Sequence, residues 1–192
     1  MGRKRIFDED LALDAAVSCF WQQGYSGTSV RHLCDAMGIG SGSFYAAFLD
    51  KETCFRLALT RYLQSQGTPH TPSPAAVEGW FFFITRKGRA HRGCMLVGSA
   101  GQWEQLDPGN QEFVRVQLQR MEDFFWLCLK PRFRAREDAA LLAAGVLGIH
   151  VLSFAGFSHD SLVRSAKSCL HSVGLQLRNP REGSQGTGTI DT

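Results

Sequence analysis

The sequence predicts an all-α protein in two parts, a small N-terminal helical domain followed by a larger helical domain. Three observations predict it. Apolar residues recur at spacings of three and four along most of the chain, while almost no stretch alternates with period two. The run Gly-Thr-Pro-His-Thr-Pro-Ser-Pro at 67–74 must interrupt any helix that reaches it. Before that run, two of the helical patterns are short and joined by a glycine turn; after it, none is that short.

The first helix starts at Asp8, an N-cap followed by Glu9 and Asp10, where carboxylates favour the helix dipole. Its inner face is Leu11, Ala12, Ala15, Ala16, Cys19 and Phe20, and Gly24 stops it. Thr28 caps a short second helix over 29–36 with Val30, Leu33 and Ala36 inward. Met37-Gly38-Ile39-Gly40 is a tight turn, and a third helix follows over 41–48 with Phe44, Tyr45 and Phe48. Asp50 caps a fourth helix over 51–66 carrying Cys54, Phe55, Leu57, Ala58 and Leu59. Beyond the breaker run, helices are expected near 74–87, 93–105, 110–130, 135–156 and 159–175. The expected organisation is therefore 1–50 as a three-helix domain, 51–66 as a connecting helix, 67–178 as a second domain and 179–192 as a Gly/Ser/Thr tail too poor in apolar residues to fold.

Composition bounds the function without naming it. A 44% hydrophobic, 20% charged chain of 192 residues is an ordinary globular composition. The net charge of +3 is not concentrated where a nucleic-acid reader needs it. Residues 1–56 hold Lys/Arg at 3, 4, 5, 31, 51 and 56 against Asp/Glu at 8, 9, 10, 14, 35, 50 and 52. Six cysteines at 19, 34, 54, 94, 128 and 169 form no CxxC pair, a usage that reads as reduced thiols in a cytoplasmic protein. The apolar stretch 139–157 approaches a membrane span in length, but its Ala, Gly and central His150 suit a packed helix interface better, so no membrane partner is expected. No histidine or cysteine set has a recognised zinc spacing, and no metal or other cofactor is expected. An enzyme using Cys94 with His91 would lack a third orienting group, so an enzyme is not expected.

The informative pattern lies at 24–52. Two short helices joined by a glycine turn form the unit that lays a second helix in the DNA major groove. The segment Gly24-Tyr25-Ser-Gly-Thr28-Ser29-Val30-Arg31, then Leu33, Ala36-Met37-Gly38-Ile39, then Gly42-Ser43-Phe44-Tyr45-Ala-Ala-Phe48-Leu-Asp-Lys51-Glu52, closely resembles the DNA-binding domain of TetR/AcrR-type regulators over about residues 5–58. Two positions depart from that pattern: Gly40 stands where the family has a Ser cap, and Ala46 and Ala47 replace larger polar residues.

The resemblance implies a helix-turn-helix domain, a C-terminal effector-sensing and dimerisation domain, and a homodimeric regulator, in most relatives a repressor, that binds a palindromic double-stranded DNA operator. Thr28 and Ser29 bring hydroxyls and free N–H groups to a helix start that suits a phosphate. Ser41, Gly42 and Ser43 open the recognition helix where base edges are approached, Tyr45 reaches a phosphate, and Lys51 adds a charge-assisted phosphate contact. With alanines at 46 and 47, specificity leans on Ser41, Ser43, Arg31, His32 and DNA shape. Arg3, Lys4 and Arg5 form a basic arm suited to the minor groove or simply to solvent.

In the second half, helices 135–156 and 159–175 offer Leu141, Leu142, Val146, Ile149, Leu152, Leu162, Cys169 and Leu170 with Ala139, Ala140, Ala143, Gly145 and Gly148, a close-packing set suited to a four-helix dimer interface. Phe82, Trp103 and Phe125 are candidates to line a site for a small apolar effector; each is equally a core aromatic. Cys94 opens a helix beside His91 and Arg92, and the Arg-Gly-Cys segment resembles one found among electrophile- and oxidant-sensing relatives. Two roles fit it: an electrophilic-effector or redox trigger, or a small buried hydrophobe.

Overall fold

A computed structural model describes residues 7–66, 71–86 and 93–178. The basic arm at 3–5, the His91–Arg92 pair and the tail from 179 lie outside the described residues. Among those described, the chain forms nine α-helices and no strand: α1 (Glu9–Gly27), α2 (Val30–Met37), α3 (Ser41–Phe48), α4 (Lys51–Ser65), α5 (Pro74–Thr85), α6 (Met95–Ala100), α7 (Pro108–Leu129), α8 (Ala135–Phe154) and α9 (His159–Ser172), with a 3-10 turn at Trp103–Gln105.

Local chemistry explains the boundaries. Asp8 accepts from the Asp10 and Leu11 amides at the start of α1, and Asp50 accepts from Thr53 at the start of α4. Gly24, at φ +71°, breaks the helical path of α1, and the chain takes one more turn to Gly27. Gly38, at φ +67°, closes α2 in the left-handed conformation that glycine adopts without Cβ strain. Ser73 caps α5, with Pro74 in the first turn where its missing N–H costs nothing. The helix expected over 93–105 divides at Gly101-Gln102 into α6 and the 3-10 turn.

Packing gives two compact units. The first comprises, of the described residues, 7–66 together with 94–118, so the helix-turn-helix shares its core with a segment that the sequence assigns to the second domain. Local periodicity does not report such a long-range return. Phe20, Leu33, Phe44, Phe48, Phe55, Ala58 and Leu59 meet Met95, Leu96, Leu106 and Val114 in one buried cluster. The second unit comprises, of the described residues, 71–86, 93 and 119–178, and is built from α5, the end of α7, α8 and α9. Its interior includes Val77, Phe81, Phe125, Leu129, Leu142, Val146, Ile149, Leu162 and Leu170.

The small residues of α8 divide by face. Ala139, Ala143 and Val146 are buried inside the unit, and a Cβ on Gly145 would come within 2.7 Å of Cys169 Sγ, so part of the expected intersubunit close packing is α8 against α9 of the same chain. Ala140, Leu141, Ala144, Gly148 and Val151 form an exposed stripe on the other face. Among the described residues α8 alone is long and apolar enough to cross a membrane by length and composition.

Candidate nucleic-acid interface

The first unit presents three chain features on which the candidate DNA contacts lie. At the α2 start, Ser29 rather than Thr28 is the cap: its Oγ accepts from the His32 amide at 3.1 Å, and His32 Nδ1 accepts from the Ser29 amide at 3.4 Å, a reciprocal capping box. Thr28 is turned inward, 1% exposed, and its hydroxyl donates to the Gly24 carbonyl at 2.7 Å. Thr28 is therefore not the cap of α2, which moves the expected cap by one residue, and its hydroxyl is engaged by the Gly24 carbonyl. Its role is to tie the bend at Gly24 to the start of α2. Arg31 is 90% exposed on its side chain and lies 3.9 Å from Asp35, a pair too open to hold it firmly.

The second feature is the start of α3. Ser41, Gly42 and Ser43 are all exposed, and Gly40 caps the helix without a side-chain hydrogen bond. The N–H groups of that first turn therefore have no side-chain cap from Gly40. A Cβ on Gly42 would meet nothing within 4 Å, so glycine here is not demanded by packing and leaves the backbone approachable. Tyr45 is 53% exposed, its ring edge against Phe44 at 5.5 Å, while Phe44 and Phe48 anchor the opposite face in the core. Ala46 is exposed and short, so the outer face of α3 carries hydroxyls and one phenol rather than long cations.

The third feature is the corner into α4. Leu49 takes φ +66° and ψ −59°, and the Asp50 amide donates to the Phe48 carbonyl at 2.7 Å, a tight γ-turn that is strained for leucine. It delivers Asp50 to its capping position and Lys51 to the first residue of α4. The Lys51 ammonium sits 4.1 Å from the centroid of the Tyr25 ring, and burial of this half-buried side chain pulls its pKa below the usual lysine range. The Tyr25 hydroxyl donates to Glu52 Oε1 at 3.1 Å. The sequence names Tyr25 only as the aromatic of a turn; its contact with Lys51 depends on the juxtaposition of α1 and α4 and carries no local signal.

The candidate sensing residues do not form one group within a single unit. Cys94, the half-buried N-cap of α6, and the half-buried Trp103 both pack against the core of the first unit. Phe82 is half-buried and Phe125 fully buried in the second unit, where Phe125 meets Trp80 at 5.1 Å in an aromatic core cluster. Among the described residues no group of three His, Cys, Asp or Glu side chains gathers as a metal site.

Comparison with known proteins agrees with this geometry. Residues 12–58 match the family model of bacterial regulatory proteins, tetR family. The HTH-type transcriptional repressor ComR of Escherichia coli is 44% identical over 69 residues, 36% of this chain, and the match spans only 33% of ComR. The uncharacterized HTH-type regulator YezE of Bacillus subtilis is 27% identical over 151 residues, 73% of this chain and 76% of YezE. Among solved structures, a cysteine mutant of the TetR family transcriptional regulator CifR, complexed with 26bp double-strand operator DNA, superposes with TM-score 0.77 at 26% identity, covering 89% of this chain and 99% of that one. The reduced form of E. coli NemR shares the fold at 15% identity, TM-score 0.73, over 84% of this chain and 95% of that one. The helix-turn-helix at 30–48 and the family match around it make residues 12–58 a helix-turn-helix domain of the tetR type, on a chain whose fold is similar to that of CifR.

Proposed function

We propose that the protein is a homodimeric transcriptional repressor of the cytoplasm that binds a palindromic operator through α2, α3 and the start of α4, and leaves it on a small-molecule, electrophile or oxidant signal. The observation that carries the DNA-binding reading is the exposed set Ser29, Arg31, Ser41, Gly42, Ser43 and Tyr45, with the half-buried Lys51 beside it, on a helix-turn-helix whose opposite face is core. Phosphate contacts from Ser29, Tyr45 and Lys51 would fix the register, and Ser41 and Ser43 would approach base edges. CifR, solved on operator DNA, and ComR, a repressor, support the same reading.

Dimerisation is supported by the exposed stripe Ala140, Leu141, Ala144, Gly148 and Val151 on α8, whose small residues permit close approach of a second helix. A two-fold axis there would set two recognition helices about 34 Å apart, one DNA turn, and thus a palindromic operator. For the trigger, Cys94 begins the segment that packs on the helix-turn-helix core, and within that segment Gln102 Oε1 accepts from Ser26 N and Oγ at 3.1 and 3.2 Å, just before α2. A bulky adduct at Cys94 would disturb that segment. The solved CifR chains are cysteine mutants, which directs attention to thiols in this relative.

A mobility-shift titration with the DNA upstream of its own coding sequence, with the thiols reduced and again after mild oxidation, tests both parts. A salt-sensitive shift at about nanomolar protein is expected, abolished by oxidation in the wild type and retained by Cys94→Ser. Retention of the shift by the oxidised wild type removes the thiol trigger. Absence of a specific shift in either state, on this DNA and on sequences selected from random duplexes, removes the operator reading.

A further inference from the structure

Lys51 occupies a position that electrostatics alone does not favour. It is the first residue of α4, where the helix dipole is positive, and its side chain is half-buried. No carboxylate lies within ion-pair distance of its ammonium among the described residues; Glu52, its neighbour, is engaged by the Tyr25 hydroxyl instead. The face of Tyr25 lies 4.1 Å from the ammonium, and the Glu52 carboxylate acts on it through space without an ion pair. The choice of partner matters chemically. A carboxylate would neutralise the charge and compete for its N–H donors, whereas an aromatic face attracts the cation and leaves the N–H donors turned away from the ring for an anion.

The ring is itself fixed. Tyr25 is 6% exposed, stacked on Phe20 at 6.3 Å and set edge-to-face on Phe55 at 5.1 Å. Burial and the Glu52 carboxylate push its hydroxyl well above the ordinary tyrosine range, so it remains a donor to Glu52 at any physiological pH. The Glu52 carbonyl accepts from Asn110 Nδ2 at 3.3 Å, and Asn110, fully buried, accepts from Arg56 at 3.2 Å. Arg56 also donates to Thr53 at 3.2 Å. The platform under Lys51 is thus built from α1, α4 and the first turn of α7.

We propose that Tyr25 is a positioning residue for operator binding, holding the Lys51 ammonium un-neutralised at the start of α4 and ready for a phosphate, with Asn110 tying that arrangement to α7. This rests on the DNA-binding reading above. It predicts that Tyr25 affects affinity through Lys51 and not merely through the core.

The test is the salt dependence of binding to a selected operator duplex for wild type, Lys51→Met, Tyr25→Leu, Tyr25→Phe and the Tyr25→Leu/Lys51→Met double variant. Each phosphate contact contributes about 0.9 to the slope of log affinity against log salt. Lys51→Met is expected to lower the slope by about that amount for each phosphate the lysine reaches. Tyr25→Leu should remove most of the same increment, Tyr25→Phe should restore it, and the double variant should be no worse than Lys51→Met. Unchanged slope in Tyr25→Leu, or additive reductions in the double variant, overturns the proposal and leaves Tyr25 as core. A DNA-free readout accompanies it: the Lys51 ε-methylene protons should show an upfield ring-current shift in wild type and Tyr25→Phe. An ordinary shift in the wild type overturns the geometry, even where Tyr25→Leu fails to fold. Failure of the wild type to select any DNA instead overturns the operator reading on which the proposal rests, whatever the ring-current result.

Discussion

Thr28 and Ser29 are adjacent hydroxyls with opposite tasks, and the difference is measurable. Thr28→Val keeps the shape but removes the donor to the Gly24 carbonyl, a buried hydrogen bond whose removal costs about 1–2 kcal/mol. Its denaturation midpoint should fall, while the salt slope of DNA binding stays at the wild-type value. Ser29→Ala should cost about 1 kcal/mol through the missing cap and also weaken DNA binding, because the same exposed hydroxyl is a proposed phosphate ligand. Equal effects of the two substitutions on the salt slope would contradict the assignment. Cys54 supplies a prediction in pH. Fully buried, its thiol is pushed up to about 12 by desolvation, from an ordinary value near 9.0. Because the unfolded chain releases that proton first, stability is complete below about pH 9 and declines as pH rises toward 12. Urea midpoints measured across that window should fall less steeply for Cys54→Ala than for wild type; identical pH profiles would contradict this.

At the scale of elements, the two glycines of α8 separate folding from assembly. Gly145 faces Cys169 so closely that Gly145→Ala forces Cys169 Sγ to shift or the α8–α9 contact to open, destabilising the chain by about 1–3 kcal/mol. Gly148 has open space around it, so Gly148→Leu should leave the chain folded yet block close approach of a second α8. Sedimentation should then show a monomer for Gly148→Leu against a dimer for wild type; a dimeric variant would move the proposed interface elsewhere. Helices are the most legible feature of the sequence. The caps Asp8 and Asp50, the Gly38 turn and the prolines at 69, 72 and 74 announce boundaries through local chemistry, and the long helices fall within a few residues of their expected limits. The helix expected at 93–105 is less legible because Gly101 interrupts it without removing the apolar spacing. Thr28 is mistaken for the cap because either of two consecutive hydroxyls satisfies a cap by sequence, and only burial separates them.

At the scale of the whole molecule, the sequence carries the helix-turn-helix plainly and the packing of the rest faintly. The return of 94–118 to the first unit, the engagement of Ser26 by Gln102 and the Tyr25–Lys51 contact all join residues far apart in the chain. None leaves a periodic trace. The candidate recognition surface is legible because its residue types serve a chemistry at fixed spacing; the platform beneath it is not, because it depends on which helices meet. The central claim, that this surface reads a duplex operator, is tested most directly by selecting binding sites from random duplex DNA and measuring the selected duplex against wild type and a Tyr45→Ala/Lys51→Ala variant. The account predicts an enriched palindrome, bound by the wild type with steep salt dependence and by the variant at least tenfold more weakly with a shallower slope, on the order of one phosphate contact or more. No enriched sequence, or equal affinity and slope for the two proteins, would contradict it.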